Sequence, residues 1–189
     1  TGCSSPSPRP TTGTSRREPA THYSNSNYPP AAMALEKVTG HALSDLVRTG
    51  LVEPLGLRHT TITPPDLTSP VMRGYATTAT SGVPVDVTDD LLAFGNGGNG
   101  GVISNADELL TILQAIVAGR FLSSVMVADM MTAADGTYGL GLNAYGTGCG
   151  VFYGHGGAVN GTGSIAMVSP DGRDGVVIAD AARRTFALE

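Results

Sequence analysis

Two residues that can serve acid–base chemistry, Tyr23 and His155, each precede small polar or glycine residues in this chain. Tyr23 is followed by Ser24 and Asn25, and His155 is followed by Gly156 and Gly157. A tyrosine hydroxyl, whose ordinary pKa is about 10, needs a neighbouring cation to act as a general base. Both segments also have ordinary structural interpretations, a helix cap at Ser24 and a glycine turn at the end of a strand.

The surroundings of both segments extend the pattern. Further along the chain come Tyr28, Glu36-Lys37-Val38-Thr39-Gly40 and Pro54-Leu55-Gly56-Leu57. The second segment follows Tyr138-Gly139-Leu140-Gly141-Leu142 and continues through Ala158 to Gly161. In this order, about 130 residues apart, the two segments resemble the second and third catalytic boxes of the serine β-lactamase/penicillin-binding superfamily. The resemblance is to its class C branch, which includes class C β-lactamases, Streptomyces-type D-alanyl-D-alanine carboxypeptidases and related esterases.

The resemblance implies hydrolysis of an amide or ester through an acyl-enzyme. It implies that Tyr23 is the general base, that Asn25 and His155 position the substrate and the proton network, and that the Ala158 N–H helps bind the oxyanion. Gly156 and Gly157 would let the substrate backbone approach closely. The implied substrates are small molecules or peptidoglycan-type peptides, the implied location is extracytoplasmic or secreted, and no metal or organic cofactor is implied.

The first box of that family, S-x-x-K, carries the nucleophile and does not occur in this sequence. The chain has one lysine, Lys37, and the residue three before it is Ala34. The resemblance covers roughly residues 19–182, with no counterpart for the family's N-terminal half. We therefore expect the C-terminal portion of a serine hydrolase domain, truncated and inactive by itself. Two alternatives stay open, a non-catalytic pseudoenzyme or binding domain that retains the cleft, and an incomplete product that folds poorly.

The composition excludes several other classes of function. A net charge of −5 over 189 residues gives no electrostatic reason to bind nucleic acid, and no apolar run is long enough for a transmembrane helix. The four histidines lack the spacing of a metal site. Cys3 and Cys149 could pair with each other but are too few for a disulfide framework. A glycine-rich run at residues 95–101 matches G-x-G-x-x-G, but no convincing strand precedes it.

The hydrophobic pattern predicts an α+β fold, with an antiparallel sheet, flanking helices and a small all-α portion. Residues 1–18 are rich in Ser, Pro and Thr and predict a disordered tail, and residues 19–189 are assigned to the hydrolase domain. The pattern predicts helices over residues 27–39, 42–51, 106–118 and 123–132, the third opened by a capping box from Ser104 to Asp107. The first helix has an apolar face of Ala31, Ala32, Leu35 and Val38 and is expected to end at Gly40, and a turn from Pro54 is expected after the second. The pattern also predicts short strands over residues 138–142, 150–153, 164–168 and 175–179, with a hairpin turn at Asp171-Gly172 and a short helix at the C-terminal end.

Overall fold

The computed structural model describes residues 23–62, 71–78, 83–89, 97–132, 137–159, 161–180 and 184–186. The predicted tail, the domain boundary after residue 18 and Cys3 lie outside these ranges. The chain divides into two compact units. The first contains Thr1–Tyr23, Leu113–His155 and Ala166–Val176, and the second contains Ser24–Ile112, Gly156–Ile165 and Val177–Glu189.

The first long helix begins where the sequence places it. Helix α1, Tyr28–Thr39, follows a 3-10 turn at Asn25–Asn27. Pro29 and Pro30 lie in its first turn, where backbone N–H groups have no partner within the helix. The helix ends at Gly40, whose φ of 72° is a left-handed conformation that glycine adopts without strain. The apolar face predicted for α1 is largely exposed, since Ala32 is buried but Leu35 and Val38 are not.

The next helical segment is longer than predicted and contains a π-helical turn between two α-helical parts. Helix α2, Leu43–Val47, passes into a π-helical turn at Arg48–Val52 and then into the short helix α3, Glu53–Leu55. The sequence predicted one helix ending at residue 51 and a turn from Pro54. Pro54 has no N–H with which to continue the α-helical ladder, and the wider turn accommodates it. Gly56, with a φ of 68°, ends the segment.

The second unit contains a small sheet of three strands in the order β2–β1–β7. Strand β1, Tyr75–Thr78, pairs antiparallel with β2, Pro84–Asp86. On its other side β1 pairs parallel with β7, Arg184–Phe186. The sequence predicted a short helix at the C-terminal end, and the described residues there form a strand instead. The isolated bridge between Thr61 and Ile103 adds a further backbone connection in this unit.

The two later helices follow the predicted bounds within one or two residues. Helix α4 spans Ala106–Val117 and helix α5 spans Ser124–Met131. Ser123 caps α5, because its Oγ accepts a hydrogen bond from the Met126 N–H at 3.3 Å. The predicted capping box of α4 is wrong in its residues. Asn105, one position after Ser104, supplies the side-chain oxygen that accepts the Glu108 N–H at 2.9 Å.

The larger sheet has four strands in the consecutive order β3–β4–β5–β6. They span Asn143–Thr147, Gly150–Val159, Thr162–Val168 and Gly175–Asp180, respectively. The sequence missed β3, and it predicted a strand over residues 138–142 that is a turn with one isolated bridge at Tyr138. The turn after β5 is as predicted, with a φ of 70° at Gly172.

Buried apolar residues are few in the described part of the chain. In the first unit they are Ala115, Val127, Leu142, Ala166 and Val168, and in the second they are Ala32 and Ile62. The combination of helices with largely antiparallel strands confirms the predicted α+β class. Among the described residues, no helix is both long enough and apolar enough to cross a membrane.

Candidate functional site

Three aromatic side chains meet in the first unit, and two of them are the acid–base candidates from the sequence. The ring centroids of Tyr23 and His155 lie 5.4 Å apart. Tyr138 contacts both rings, at 5.2 Å from Tyr23 and 5.7 Å from His155. The Tyr138 hydroxyl lies 3.2 Å from Nε2 of His155, within hydrogen-bond distance. We call Tyr23, Tyr138 and His155 the aromatic corner.

Backbone pairing places Tyr138 in the corner. Asn143 on β3 pairs with Gly154 on β4, next to His155, and Asn143 also forms an isolated antiparallel bridge with Tyr138. The turn that follows Tyr138 packs tightly on α5, because a Cβ on Gly139 would lie 2.1 Å from the Met130 carbonyl oxygen. Only glycine permits this approach. The turn therefore fixes the backbone position of Tyr138 beside β4, the strand that carries His155.

Gly154 fixes the strand beneath His155 by a similar close approach. A Cβ on Gly154 would lie 1.9 Å from the Ala166 carbonyl oxygen, so no other residue fits without moving β4 away from β5. Gly154 is buried, whereas Tyr23 keeps 47% of its surface exposed. The corner thus combines a tightly packed backbone at Gly154 with an exposed side chain, Tyr23, that solvent can reach.

The other predicted site residues lie in the second unit, all on exposed backbone. Asn25 begins the 3-10 turn after Ser24, and the Ser24 Oγ accepts the Ser26 N–H at 3.2 Å. The cap interpretation of Ser24 is thereby confirmed. Gly156, Gly157 and Ala158 continue β4, and all three are exposed. They form an exposed segment of the strand, and a Cβ on Gly157 would lie 2.7 Å from the Ser164 Oγ.

A second polar cluster, which the sequence did not indicate, surrounds Glu108 in the second unit. Its carboxylate accepts hydrogen bonds from the Arg58 N–H at 2.8 Å, the His59 N–H at 3.1 Å and the Thr60 hydroxyl at 2.6 Å. The His59 Nδ1 lies 3.0 Å from the same carboxylate. We call these four residues the Glu108 clamp, since they fasten the 58–60 loop to the first turn of α4.

The pKa of Glu108 reflects two opposing effects. Desolvation of the carboxylate raises the pKa and is the largest single contribution. The hydrogen bonds from Thr60, Arg58 and His59 lower it and together prevail, so that the pKa falls from 4.5 to about 2. The side chain is 13% exposed, so these donors act with little competition from water. A carboxylate held ionised in this way is suited to structural support rather than to proton transfer near neutral pH.

The described residues contain no group of three or more His, Cys, Asp or Glu side chains that could hold a metal ion. A cavity of about 340 Å³ in the second unit contains none of the predicted site residues. The Arg48 guanidinium in its wall is engaged by Asp45 and Glu53. The lining of this cavity is Ser44, Asp45, Val47, Arg48, Val52, Leu57, Arg58, Thr60, Thr61 and Ile62.

Comparison with known families agrees with the resemblance carried by the motifs. The sequence profile of the Beta-lactamase family matches residues 11–183, which is most of the chain. The chain belongs to the Beta-lactamase family. The match includes both Tyr23 and His155, so the aromatic corner is formed by residues within the family's own region.

Solved structures with the same fold include hydrolases and penicillin-binding proteins. A D-stereospecific amidohydrolase from Streptomyces sp. is 29% identical, with a TM-score of 0.72 over 86% of this chain and 51% of the relative. A D-amino acid amidase from Ochrobactrum anthropi SV3, complexed with D-phenylalanine, is 25% identical, with a TM-score of 0.71 over 87% and 52%. An octameric penicillin-binding protein homologue from Pyrococcus abyssi, at 20% identity, matches in fold with a TM-score of 0.75 over 89% and 40%. The chain spans about half the length of these amidohydrolase structures.

Proposed function

We propose that this chain supplies the acid–base and substrate-positioning part of a serine hydrolase site that works through an acyl-enzyme. One observation carries the proposal. Tyr23 and His155 are 132 positions apart in the sequence, yet their rings lie 5.4 Å apart in one compact unit. Membership of the Beta-lactamase family supports the same chemistry.

The proposed steps divide the work between this chain and a nucleophile that its sequence does not contain. A serine hydroxyl from an S-x-x-K motif would attack the carbonyl carbon of an amide or ester, and its proton would pass to Tyr23. The Ala158 N–H would bind the oxyanion of the tetrahedral intermediate. Tyr23 would then give the proton to the leaving amine or alcohol. A water molecule would hydrolyse the acyl-enzyme by the same path in reverse, which releases the acid and restores the serine.

Tyr23 needs a cation nearby to act as a base, because a phenol with an ordinary pKa of about 10 keeps its proton at neutral pH. The lysine of the S-x-x-K motif would provide that charge. Lys37 is the only lysine of this chain, and Ala34 stands three positions before it where the motif has its serine. The chain by itself is therefore proposed to be inactive.

The proposed substrates are small amides, esters or β-lactams and peptidoglycan-type peptides that end in D-amino acids. The 29% identical Streptomyces relative is a D-stereospecific amidohydrolase, which makes D-amino acid amides the first compounds to test. Because the motifs resemble those of enzymes that act on peptidoglycan-type peptides, we propose an extracytoplasmic location. Fractionation of the native host, with an antibody against the chain, checks that location, and a purely cytoplasmic signal would contradict it.

A titration with the chain as it exists tests the binding part of this proposal. D-Phenylalanine amide is added to the ¹⁵N-labelled chain, with L-phenylalanine amide as the matched control, and the amide signals of Gly156, Gly157 and Ala158 are followed by NMR. We expect concentration-dependent shifts at these residues that are larger for the D-enantiomer. Shifts that are absent, or that occur only at residues remote from β4 and Tyr23, would contradict it.

A non-catalytic binding domain is the second candidate, and the lack of S-x-x-K in the sequence favours it. The two candidates differ once a segment carrying an S-x-x-K motif of this family is added. Turnover of a p-nitrophenyl ester by the mixture, lost when Tyr23 is replaced by Phe, supports the hydrolase. Tight binding of D-amino acid compounds with no turnover in any mixture supports the binding domain.

A further inference from the structure

We propose that Tyr138 is a positioning residue of this site, whose hydroxyl donates a hydrogen bond to Nε2 of His155 and so keeps the proton of the neutral imidazole on Nδ1. The catalytic part of this proposal rests on the proposed function, but the hydrogen bond itself can be tested without turnover. Tyr138 belongs to the Tyr-Gly-Leu-Gly-Leu run of the sequence, and its side chain has no role in the steps proposed for Tyr23 and Ala158.

The direction of the hydrogen bond follows from the chemistry of the two groups. The oxygen and nitrogen atoms lie 3.2 Å apart, so one of them must present a hydrogen to the other. A phenol is a good donor and a weak acceptor, because its lone pairs are delocalised into the ring. An unprotonated imidazole nitrogen is a strong acceptor. The arrangement O–H···N is therefore favoured over N–H···O, and it leaves the imidazole proton on Nδ1.

The geometry around the pair is built to hold this contact. The rings of Tyr138 and His155 meet nearly edge to face, at an interplanar angle of 86°. Both side chains are half-buried, which protects the hydrogen bond from competition by water. Gly139 against Met130 and Asn143 between Tyr138 and Gly154 fix the two backbones, so little freedom remains to lose when the bond forms.

This arrangement decides which role His155 can take. With Nε2 occupied by the Tyr138 hydroxyl, neither nitrogen of the neutral ring is available to take a proton while the bond lasts. His155 then serves as an N–H donor from Nδ1 rather than as a general base. The base role falls to Tyr23, whose ring packs against both partners.

The tautomer of His155 can be read directly by NMR in the chain as it exists. Long-range ¹H–¹⁵N correlation spectra are recorded with ¹⁵N-labelled histidine at about pH 8.5, a pH chosen to favour the neutral imidazole whose tautomer is to be read. A His155→Gln variant identifies the signals of His155. We expect Nδ1 to be protonated in the wild type. In Tyr138→Phe we expect the population to move towards the Nε2–H form, which prevails in histidine dissolved in water.

Tyr145→Phe is the matched control, since Tyr145 is a half-buried tyrosine on β3 outside the aromatic corner. The control should leave the tautomer of His155 unchanged. The signals of His41 and His59 in the same spectra report whether each variant keeps its fold. An Nε2–H tautomer in the wild type would overturn the assignment even if Tyr138→Phe did not fold. An unchanged tautomer in a folded Tyr138→Phe would overturn it as well.

Discussion

The aromatic corner and the Glu108 clamp each contain a histidine, yet they use it differently. In the clamp, one carboxylate receives hydrogen bonds from three consecutive residues, and its pKa is lowered to about 2. In the corner, the histidine faces two phenol rings, and one of the two tyrosines is 47% exposed. The clamp fastens a loop to a helix, whereas the corner is the part of the chain that we propose for catalysis.

The contrast separates a polar cluster that supports the fold from one that we propose to serve catalysis. A carboxylate that is fixed in one ionisation state over the physiological range contributes stability and cannot take part in proton transfer there. The Tyr23 side chain, which is 47% exposed, should contribute less to stability than the Glu108 carboxylate. Four substitutions test this contrast, since changes in the supporting framework should affect folding and changes at Tyr23 should affect chemistry.

Gly154→Ala should have the largest effect on stability. The added Cβ would lie 1.9 Å from the Ala166 carbonyl oxygen, so β4 and β5 must separate beneath His155. We expect a loss of about 3 kcal/mol in the free energy of unfolding, measured by urea denaturation. Gly146→Ala on β3 is the control, because nothing lies within 4 Å of its added Cβ. Equal stability of the two variants would show that Gly154 does not support the corner.

Glu108→Gln should cost about 2 kcal/mol, because hydrogen bonds to a charged acceptor are replaced by weaker ones. The folded-state pKa of about 2 lies below the ordinary 4.5, so the carboxylate stabilises the fold fully above about pH 4.5. That contribution is lost as the pH falls towards 2. The difference between wild type and variant should therefore shrink over this range in denaturation curves. The exposed Glu53→Gln serves as the control and should change stability far less.

Gly98→Ala should destabilise the second unit by about 1 to 2 kcal/mol. Gly98 has a φ of 80°, and its added Cβ would lie 2.9 Å from the Cβ of Ala32 on α1. Gly40→Ala carries a similar φ of 72° with nothing within 4 Å, so it isolates the backbone cost from the packing cost. The melting temperature of Gly98→Ala should be lower than that of Gly40→Ala. The reverse order would refute close packing of Gly98 on α1.

Tyr23→Phe should have the smallest effect on stability, within about 0.5 kcal/mol, because the ring is retained and is nearly half exposed. Its effect should instead appear in turnover when an S-x-x-K segment is supplied, where loss of a general base lowers kcat by about 10² to 10⁴. Ester hydrolysis and denaturation curves of the same preparations measure both quantities. A large loss of stability with unchanged turnover would show that Tyr23 supports the fold, as Glu108 does, and does not act in catalysis.

The sequence predicted those parts of the fold that local signals determine. The 3.6-residue period sets α1, α4 and α5 within one or two residues, and Gly40 ends α1 as its C-cap. The π-helical turn was missed because it compensates for Pro54 within a segment that otherwise has helical periodicity. Residues 138–142 were predicted as a strand because they alternate, but two glycines bend them into a turn against Met130.

The candidate site was predictable only where motifs carry it. Tyr23 and His155 stood out through their neighbours in the sequence, and the structure brings them together. Tyr138 could not be assigned a partner, because its contact with His155 depends on the turn at Gly139 and on the missed strand β3. Glu108 lies about 50 residues from its partners, and no local pattern links a helix's first turn to a distant loop.

Intact-protein mass spectrometry with a fluorescent penicillin tests whether the nucleophile must come from outside this chain. The chain is incubated with the penicillin alone and together with a segment carrying an S-x-x-K motif of this family. We expect no adduct on this chain in either sample. In the mixture we expect an adduct on the serine of the added segment, and this adduct should be lost when Tyr23 is replaced by Phe. A stoichiometric adduct on a serine of this chain would show that the chain contains its own nucleophile, which is the opposite of what we propose.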